Sequence, residues 1–263
     1  MKKNRRRQRR KRGRGIYILP NLITTASLFA GFYSLIATFT GRFIVAAYAI
    51  LVAVVCDGLD GRVARATGTT SSFGVEYDSL VDLVSFGVAP GFLIYAWALS
   101  PYGRVGFLAA FLYVVCGALR LARFNVQVGS VEKGRFNGLP IPAAATLVAS
   151  TVLFLTYTGY TGKVRNLAVV ASIYVVAFLM VSNVKYNSFK ELEPFRRRPF
   201  HTLVAIVLLV ILLLAQPEVM IFAFTVLYIL SGPAELAWRR LSEGKREQGE
   251  REKEIEGERE KWE

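Results

Sequence analysis

Charge is nearly absent from eight stretches of this chain, and that distribution limits what it can fold into. The stretches cover roughly residues 22–40, 43–58, 79–99, 105–119, 139–158, 166–182, 201–215 and 218–236. Runs of about 20 mostly apolar residues match a bilayer hydrocarbon core about 30 Å thick. The expectation is an all-α, polytopic membrane helix bundle with about eight transmembrane segments. A length of 263 residues would also suit one or two soluble domains, but 53% hydrophobic and only 20% charged residues exclude them. Several segments are short or carry Gly and Pro, which predicts tilted or partly interfacial helices. Pro101, Pro194, Pro199 and Pro217 fall between segments, where helices are expected to stop. The only cysteines, Cys56 and Cys116, lie inside apolar segments, so a disulfide scaffold is excluded.

Orientation follows from the basic residues. With the N-terminus on the cytoplasmic side, 29 of the 33 Lys and Arg fall on that face, and only Arg42, Arg104, Lys163 and Arg165 on the other. Positive charge is retained inside, so both termini are expected in the cytoplasm. Residues 1–15 then form a basic cytoplasmic arm, 16–238 a membrane-embedded domain, and 239–263 a charged cytoplasmic tail. The arm lacks a small-residue cleavage site behind a short apolar core, so it reads as uncleaved. Net charge of +14 suggests a polyanionic partner. With this apolar bulk and no interleaved aromatics in the arm, the partner is the lipid surface and not nucleic acid.

The chemistry is concentrated in CDGLDGRVARATGTTSSFGVEYDSLVDLVSFGVAP, residues 56–90. Asp57 and Asp60 are spaced i, i+3 at the end of the second segment; Asp78 and Asp82 are spaced i, i+4 where the third begins. Each pair shares one helix face, and both pairs lie at the same side of the membrane. Acids at such positions are disfavoured without partners. Four converging carboxylates need cations, and hard oxygen ligands favour Mg²⁺ or Mn²⁺, one or two ions. Gly61 and Ala64 continue the Asp57 face with minimal side chains, which lets a large ligand approach the backbone. Arg65 supplies a fork suited to phosphate. Together these describe a metal-bound pyrophosphate site; the competing reading is helix-end acids paired with Arg62, Arg65 and other loop bases.

The spacing D-x2-D-G-x2-A-R-x8-G-x3-D-x3-D is filled by Asp57, Asp60, Gly61, Ala64, Arg65, Gly74, Asp78 and Asp82. Such a set would arise by chance about once in 10⁸ chains of this length under equal residue frequencies. It resembles the signature of the CDP-alcohol phosphotransferases, which move a phosphatidyl or related group from a CDP-linked lipid to an alcohol and release CMP. The resemblance implies that Asp57, Asp60 and Asp78 hold metal with Asp82 close by. It also implies that Asp82 is the base for the incoming hydroxyl, and that Gly61, Arg65 and Gly74 contact the CDP portion. A P-N-x-x-T element, which that family often carries, is present as Pro20, Asn21 and Thr24. Asn21 and Thr24, at i, i+3, could bond a ribose or base; an ordinary capped helix start explains them equally well.

Three stretches bear on the acceptor: ALRLARFN at 118–125, FNGLPIPAAA at 136–145 and VSNVKYNSFK at 181–190. They resemble the serine-accepting, phosphatidylserine-forming branch of the family in bacteria and archaea. That resemblance implies CDP-diacylglycerol and L-serine as substrates and a homodimer in the bilayer. Arg120 and Arg123 suit a serine carboxylate or a lipid phosphate, with Asn125 as a further donor; as interfacial anchors they would serve equally well. Lys185, Tyr186, Ser188 and Lys190 either line the site or mark the interface. His201, the sole histidine, reads as interfacial. Two rival functions stand beside this one. Another acceptor (glycerol 3-phosphate, an inositol phosphate or choline) is compatible with the signature, and intramembrane acids also occur in divalent-cation transporters. The transporter is disfavoured because these acids cluster at one face and segments four to seven contain none.

Overall fold

The computed structural model describes residues 18–67, 72–127, 135–160 and 167–187, with 204, 207–208, 210–212, 214–236 and 238 near the C-terminus. The basic arm, the charged tail, Ser188, Lys190 and His201 lie outside the described residues. Helices α1 (Ile18–Phe39) and α2 (Phe43–Thr67) form an antiparallel pair. The third span, Phe73–Tyr102, is continuous but not uniform. It opens as α3 (Ser72–Asp82), widens into a π turn at Leu83–Val88, resumes as α4 (Ala89–Ile94), and widens again at Tyr95–Leu99. A 3₁₀ turn at Ser100–Tyr102 ends it. Then follow α5 (Arg104–Gln127), strand β1 (Arg135–Asn137), α6 (Ile141–Tyr157), α7 (Leu167–Val181), strand β2 (Lys185–Asn187) and α8 (Pro217–Leu236).

Five of these helical spans are long and apolar enough to cross a membrane, and α6 and α7 are shorter apolar helices. The all-α membrane architecture is therefore as expected. The described residues between 204 and 215 are helical where the seventh segment is expected. Large side chains such as Phe29, Phe39 and Leu167 are 70%, 81% and 71% exposed. In a bilayer that outer surface meets lipid tails and incurs no hydrophobic penalty.

With no water to expel between helices, packing depends on close approach and buried polar contacts. Ala46, Ala47, Ala49 and Ala53 on α2, and Ala144, Ala145 and Ala149 on α6, are buried. A Cβ on Gly31 would lie 2.5 Å from Ser85 Oγ, so only glycine lets α1 come this close to the third span. The Ser85 hydroxyl donates to the Ser27 carbonyl at 3.2 Å, and the Ser27 hydroxyl donates to the Ala53 carbonyl at 3.1 Å. One chain of hydroxyls thereby ties α1, α2 and the π turn below Asp82.

The helix ends differ from the hydropathy boundaries. Helix α2 runs to Thr67, well past the apolar limit near residue 58, and α5 runs to Gln127 where the limit was near 119. Hydropathy marks where contact with lipid ceases, whereas the backbone ladder continues through Arg- and Ala-rich turns that favour helix. The antiparallel ribbon, pairing Phe136 with Tyr186, is a second departure from an all-helical expectation. It joins two connections that are distant in sequence. Gly138 makes the exit from β1 possible: its φ is +82°, and a Cβ there would collide with the Met180 carbonyl.

Candidate functional site

The antiparallel path brings the start of α1, the end of α2, the start of α3, the end of α5 and the ribbon to one end of the bundle. Asp57 and Asp60 face Asp78 across the α2–α3 junction. One carboxylate oxygen from each lies within 4.8 Å of the others. Asp82, one turn beyond Asp78, lies close enough to Asp57 for the two carboxyl groups to interact. The four predicted acids therefore converge as the spacing requires. Asp60 is 5% exposed, which makes solvent screening a poor account of how the charges coexist.

The donor set fits the expected divalent ions. Oxygens around one magnesium, bound at about 2.0–2.1 Å, lie at most about 4.2 Å apart, and two ions about 3.5–4 Å apart share a wider set. The 4.8 Å spread of the three carboxylates matches the paired arrangement, or a single ion after slight closure of the side chains. The backbone of α2 is open at two glycines. A Cβ at Gly58 would meet nothing within 4 Å, and one at Gly61 would meet only the Arg65 guanidinium, at 3.7–3.8 Å. Arg65 thus folds back along the open face, and both it and Arg62 are exposed. Ala64 occupies the next turn of α2, and Gly74 the first turns of α3, one helical turn before Asp78.

Other predicted residues have different immediate partners. The Thr24 hydroxyl lies 2.7 Å from Asp60 Oδ2 and 3.0 Å from the Pro20 carbonyl. It holds an acid in place, a contact the P-N-x-x-T spacing alone does not reveal. Asn21 is half-buried on the same turn, and its carbonyl accepts from the Thr25 hydroxyl at 2.7 Å. Thr25 in turn meets the Tyr77 hydroxyl at 3.0 Å, a link from α1 to the acid-bearing α3. Sequence reasoning passed over Tyr77; its place beside Asp78 was the available signal.

Of the residues expected to meet the acceptor, Asn125 uses both ends of its amide on Ser79: Nδ2 donates to Oγ at 3.0 Å, and Oδ1 lies 3.2 Å from the same hydroxyl. Arg123 clasps the chain after α7, with Nη2 donating to Asn183 Oδ1 at 2.8 Å and Nη1 to the Val181 carbonyl at 3.4 Å. Arg120 behaves differently. Its guanidinium is within electrostatic reach of Asp82, and its buried Nε makes no hydrogen bond among the described residues. Of the three residues expected to contact the acceptor, Arg120 alone presents an uncommitted donor beside the acids. Tyr186 of β2 is buried rather than interfacial, and its hydroxyl donates to the Ile229 carbonyl of α8 at 3.2 Å.

Comparison with known proteins agrees with this geometry. Residues 17–181 match the CDP-alcohol phosphatidyltransferase family. The chain is 41% identical over 179 residues to the CDP-diacylglycerol–serine O-phosphatidyltransferase of Helicobacter pylori, covering 68% of this chain and 75% of that one. It is 39% identical over 170 residues to the archaetidylserine synthase of Methanothermobacter thermautotrophicus, covering 64% and 69%. A CDP-diacylglycerol–serine O-phosphatidyltransferase of Bacillus subtilis is 32% identical over 173 residues, covering 66% and 92%. The acid pairs, the open glycine face and the α1 contacts all lie inside the matched residues, and the chain belongs to the CDP-alcohol phosphatidyltransferase family.

Proposed function

We propose that this enzyme transfers the phosphatidyl group from CDP-diacylglycerol to L-serine by direct displacement, giving phosphatidylserine and CMP. The observation that carries the reading is the convergence of Asp57, Asp60 and Asp78 within 4.8 Å, with Asp82 and the unbonded Nε of Arg120 nearby. The serine-specific names of the H. pylori and B. subtilis relatives support the choice of acceptor.

Asp57, Asp60 and Asp78, with Asp82 close by, would hold one or two Mg²⁺ or Mn²⁺ ions. Bound there, the metal supplies charge compensation for the pyrophosphate and for the departing CMP. Thr24 fixes the Asp60 carboxylate, and Asn125 fixes the start of α3 through Ser79. The open backbone at Gly58 and Gly61 admits the nucleotide, with Asn21, Arg65 and Gly74 on its border and Ala64 in the next turn of α2. Arg120 receives the serine carboxylate through its free Nε and orients the hydroxyl toward Asp82. As the serine oxygen attacks the phosphorus bonded to diacylglycerol, its proton passes to Asp82. The phosphorus–oxygen bond to CMP breaks, and CMP leaves with the electron pair. No protein nucleophile is needed. The bias of 29 basic residues to one face supports a site open to the cytoplasm and both termini on that side. The family resemblance supports a homodimer.

A CMP-release assay on the purified protein with labelled acceptors tests the reading. Serine should support turnover that requires a divalent cation, with glycerol 3-phosphate, inositol phosphate and choline at background. Turnover with one of those alcohols and none with serine would replace the acceptor. Metal flux in liposomes without CDP-lipid, and no CMP release, would move the chain to the transporter class.

A further inference from the structure

Asp78 and Asp82 sit on a helix that does not run regularly into the membrane. Helix α3 ends at Asp82 and passes directly into the π turn Leu83–Val88, where the Ala89 N–H bonds back to the Val84 carbonyl, five residues earlier. Wide turns of this kind are rare in helices and recur at functional sites. In the bilayer interior no water is at hand for polar groups that a widened turn displaces, so neighbouring helices and hydroxyl side chains supply their partners. Here two consecutive residues of the turn are tied to two different helices. The Ser85 hydroxyl donates to the Ser27 carbonyl of α1 at 3.2 Å, and the Phe86 carbonyl accepts from the Tyr113 hydroxyl of α5 at 3.0 Å. Ser85 and Tyr113 are both fully buried. Glycine lets both helices come close: Gly31 of α1 faces Ser85, and a Cβ on Gly91 of the third span would lie 2.9 Å from Val114 Cγ2 on α5.

The same bonds reach the turns beneath both acid pairs. Ser85 is three residues from Asp82. Ser27, whose carbonyl it meets, is three residues past Thr24, the partner of Asp60. The Ser27 hydroxyl in turn donates to the carbonyl of Ala53, one helical turn before Asp57. Two further contacts hold α3 itself, Asn125 on Ser79 and Thr25 on Tyr77, but the first is half-buried and the second exposed. A hydrogen bond open to water is readily exchanged for one to water and fixes geometry weakly. One buried in an apolar interior has no such alternative, and losing it strands a desolvated group. The contacts at the π turn are therefore the firmer hold on this end of the span. We propose that Ser85 and Tyr113 are positioning residues for the carboxylate cluster: by tying the π turn to α1 and α5, they keep Asp78 and Asp82 against Asp57 and Asp60. The inference rests on the reading of these acids as the metal-holding set, and adds two residues that touch neither metal nor substrate.

The test is Mn²⁺ binding to the purified protein in detergent, without substrate, followed by loss of the free-ion electron paramagnetic resonance signal. Ser85→Ala and Tyr113→Phe each remove one hydroxyl and keep the surrounding packing. Each should weaken Mn²⁺ binding about fivefold, less than the roughly 10–100-fold typical of groups bonded directly to a metal ligand. Tyr174→Phe is the control. Its hydroxyl also donates to a carbonyl of α5, that of Val105 at 3.1 Å, but at the other end of the helix. This variant should bind Mn²⁺ as the wild type does. Thermal unfolding of the metal-free proteins is measured alongside, because a merely structural brace lowers that temperature and leaves the affinity alone. Wild-type affinity in Ser85→Ala or in Tyr113→Phe, whatever its unfolding temperature, overturns the proposal, as does an equal loss of affinity in Tyr174→Phe. Should Tyr113→Phe fail to fold, Ser85→Ala, the smaller change, decides alone. The wild-type titration separates this failure from that of the functional reading. If the unmodified protein binds no Mn²⁺, the metal reading fails and this inference falls with it; if it binds and the variants match it, this inference fails alone.

Discussion

The two sides of the site are built in contrasting ways. The acidic side comes from one continuous stretch, in which helical spacing alone puts Asp57 with Asp60 and Asp78 with Asp82. The side proposed for the acceptor draws on the end of α5 and a ribbon joining residues near 136 and 186, against which the distant helix α8 packs. The first side has few ways to vary without losing the convergence of carboxylates. The second can be altered in any of several segments while the chemistry stays the same. Under the proposed function, that division would let the acceptor change without rebuilding the acidic side.

The contrast is open to direct attack, beginning with the acids. Asp57→Asn and Asp78→Asn should each lower turnover by at least about 10²-fold while the protein still inserts and folds. CMP release and thermal unfolding in detergent are the readouts. Retention of more than about a tenth of wild-type turnover by either variant would remove that residue from the metal set. Next, Asp82→Asn should lower kcat by about 10² and leave CDP-diacylglycerol binding near normal in the presence of metal. If binding collapses as it does for Asp57→Asn, Asp82 is chiefly a ligand and the base lies elsewhere.

On the other side the expected effects are smaller and selective. Arg120→Lys keeps the charge but loses the fork, so the serine KM should rise about tenfold against little change for CDP-diacylglycerol. Equal effects on the two substrates would assign Arg120 to the phosphate side. Gly138→Ala places a side chain at a positive φ and against the Met180 carbonyl. A loss of about 1–3 kcal/mol in stability is expected, with a greater effect on serine use than on CDP-lipid use. If both substrates suffer alike, the ribbon supports the whole bundle and not the acceptor side in particular.

The same contrast explains what could be read from the sequence. The eight apolar stretches and the acid spacing were legible because lipid contact and helical periodicity act over short distances along the chain. Thr24 against Asp60 spans 36 positions, and Asn125 against Ser79 spans 46; such contacts depend on packing that no local pattern encodes. Thr24 was therefore expected at the nucleotide, yet its hydroxyl is engaged with an acid. Tyr77 escaped notice because a tyrosine near a membrane boundary is ordinary. The ribbon was hidden for a similar reason: three residues on each side are too few to establish an alternating pattern.

The π turn at Leu83–Val88 lies immediately after Asp82, and its Ser85, Phe86 and Gly87 are buried. An extra residue in a helical turn shifts everything before it by about 100° relative to everything after it. The angular setting of Asp78 and Asp82 against the rest of their span therefore depends on residue count. Shortening Leu83–Val88 by one residue would restore a regular ladder and preserve every functional side chain. It would also swing both carboxylates out of phase with Asp57 and Asp60, leaving the full signature on a site that no longer meets itself.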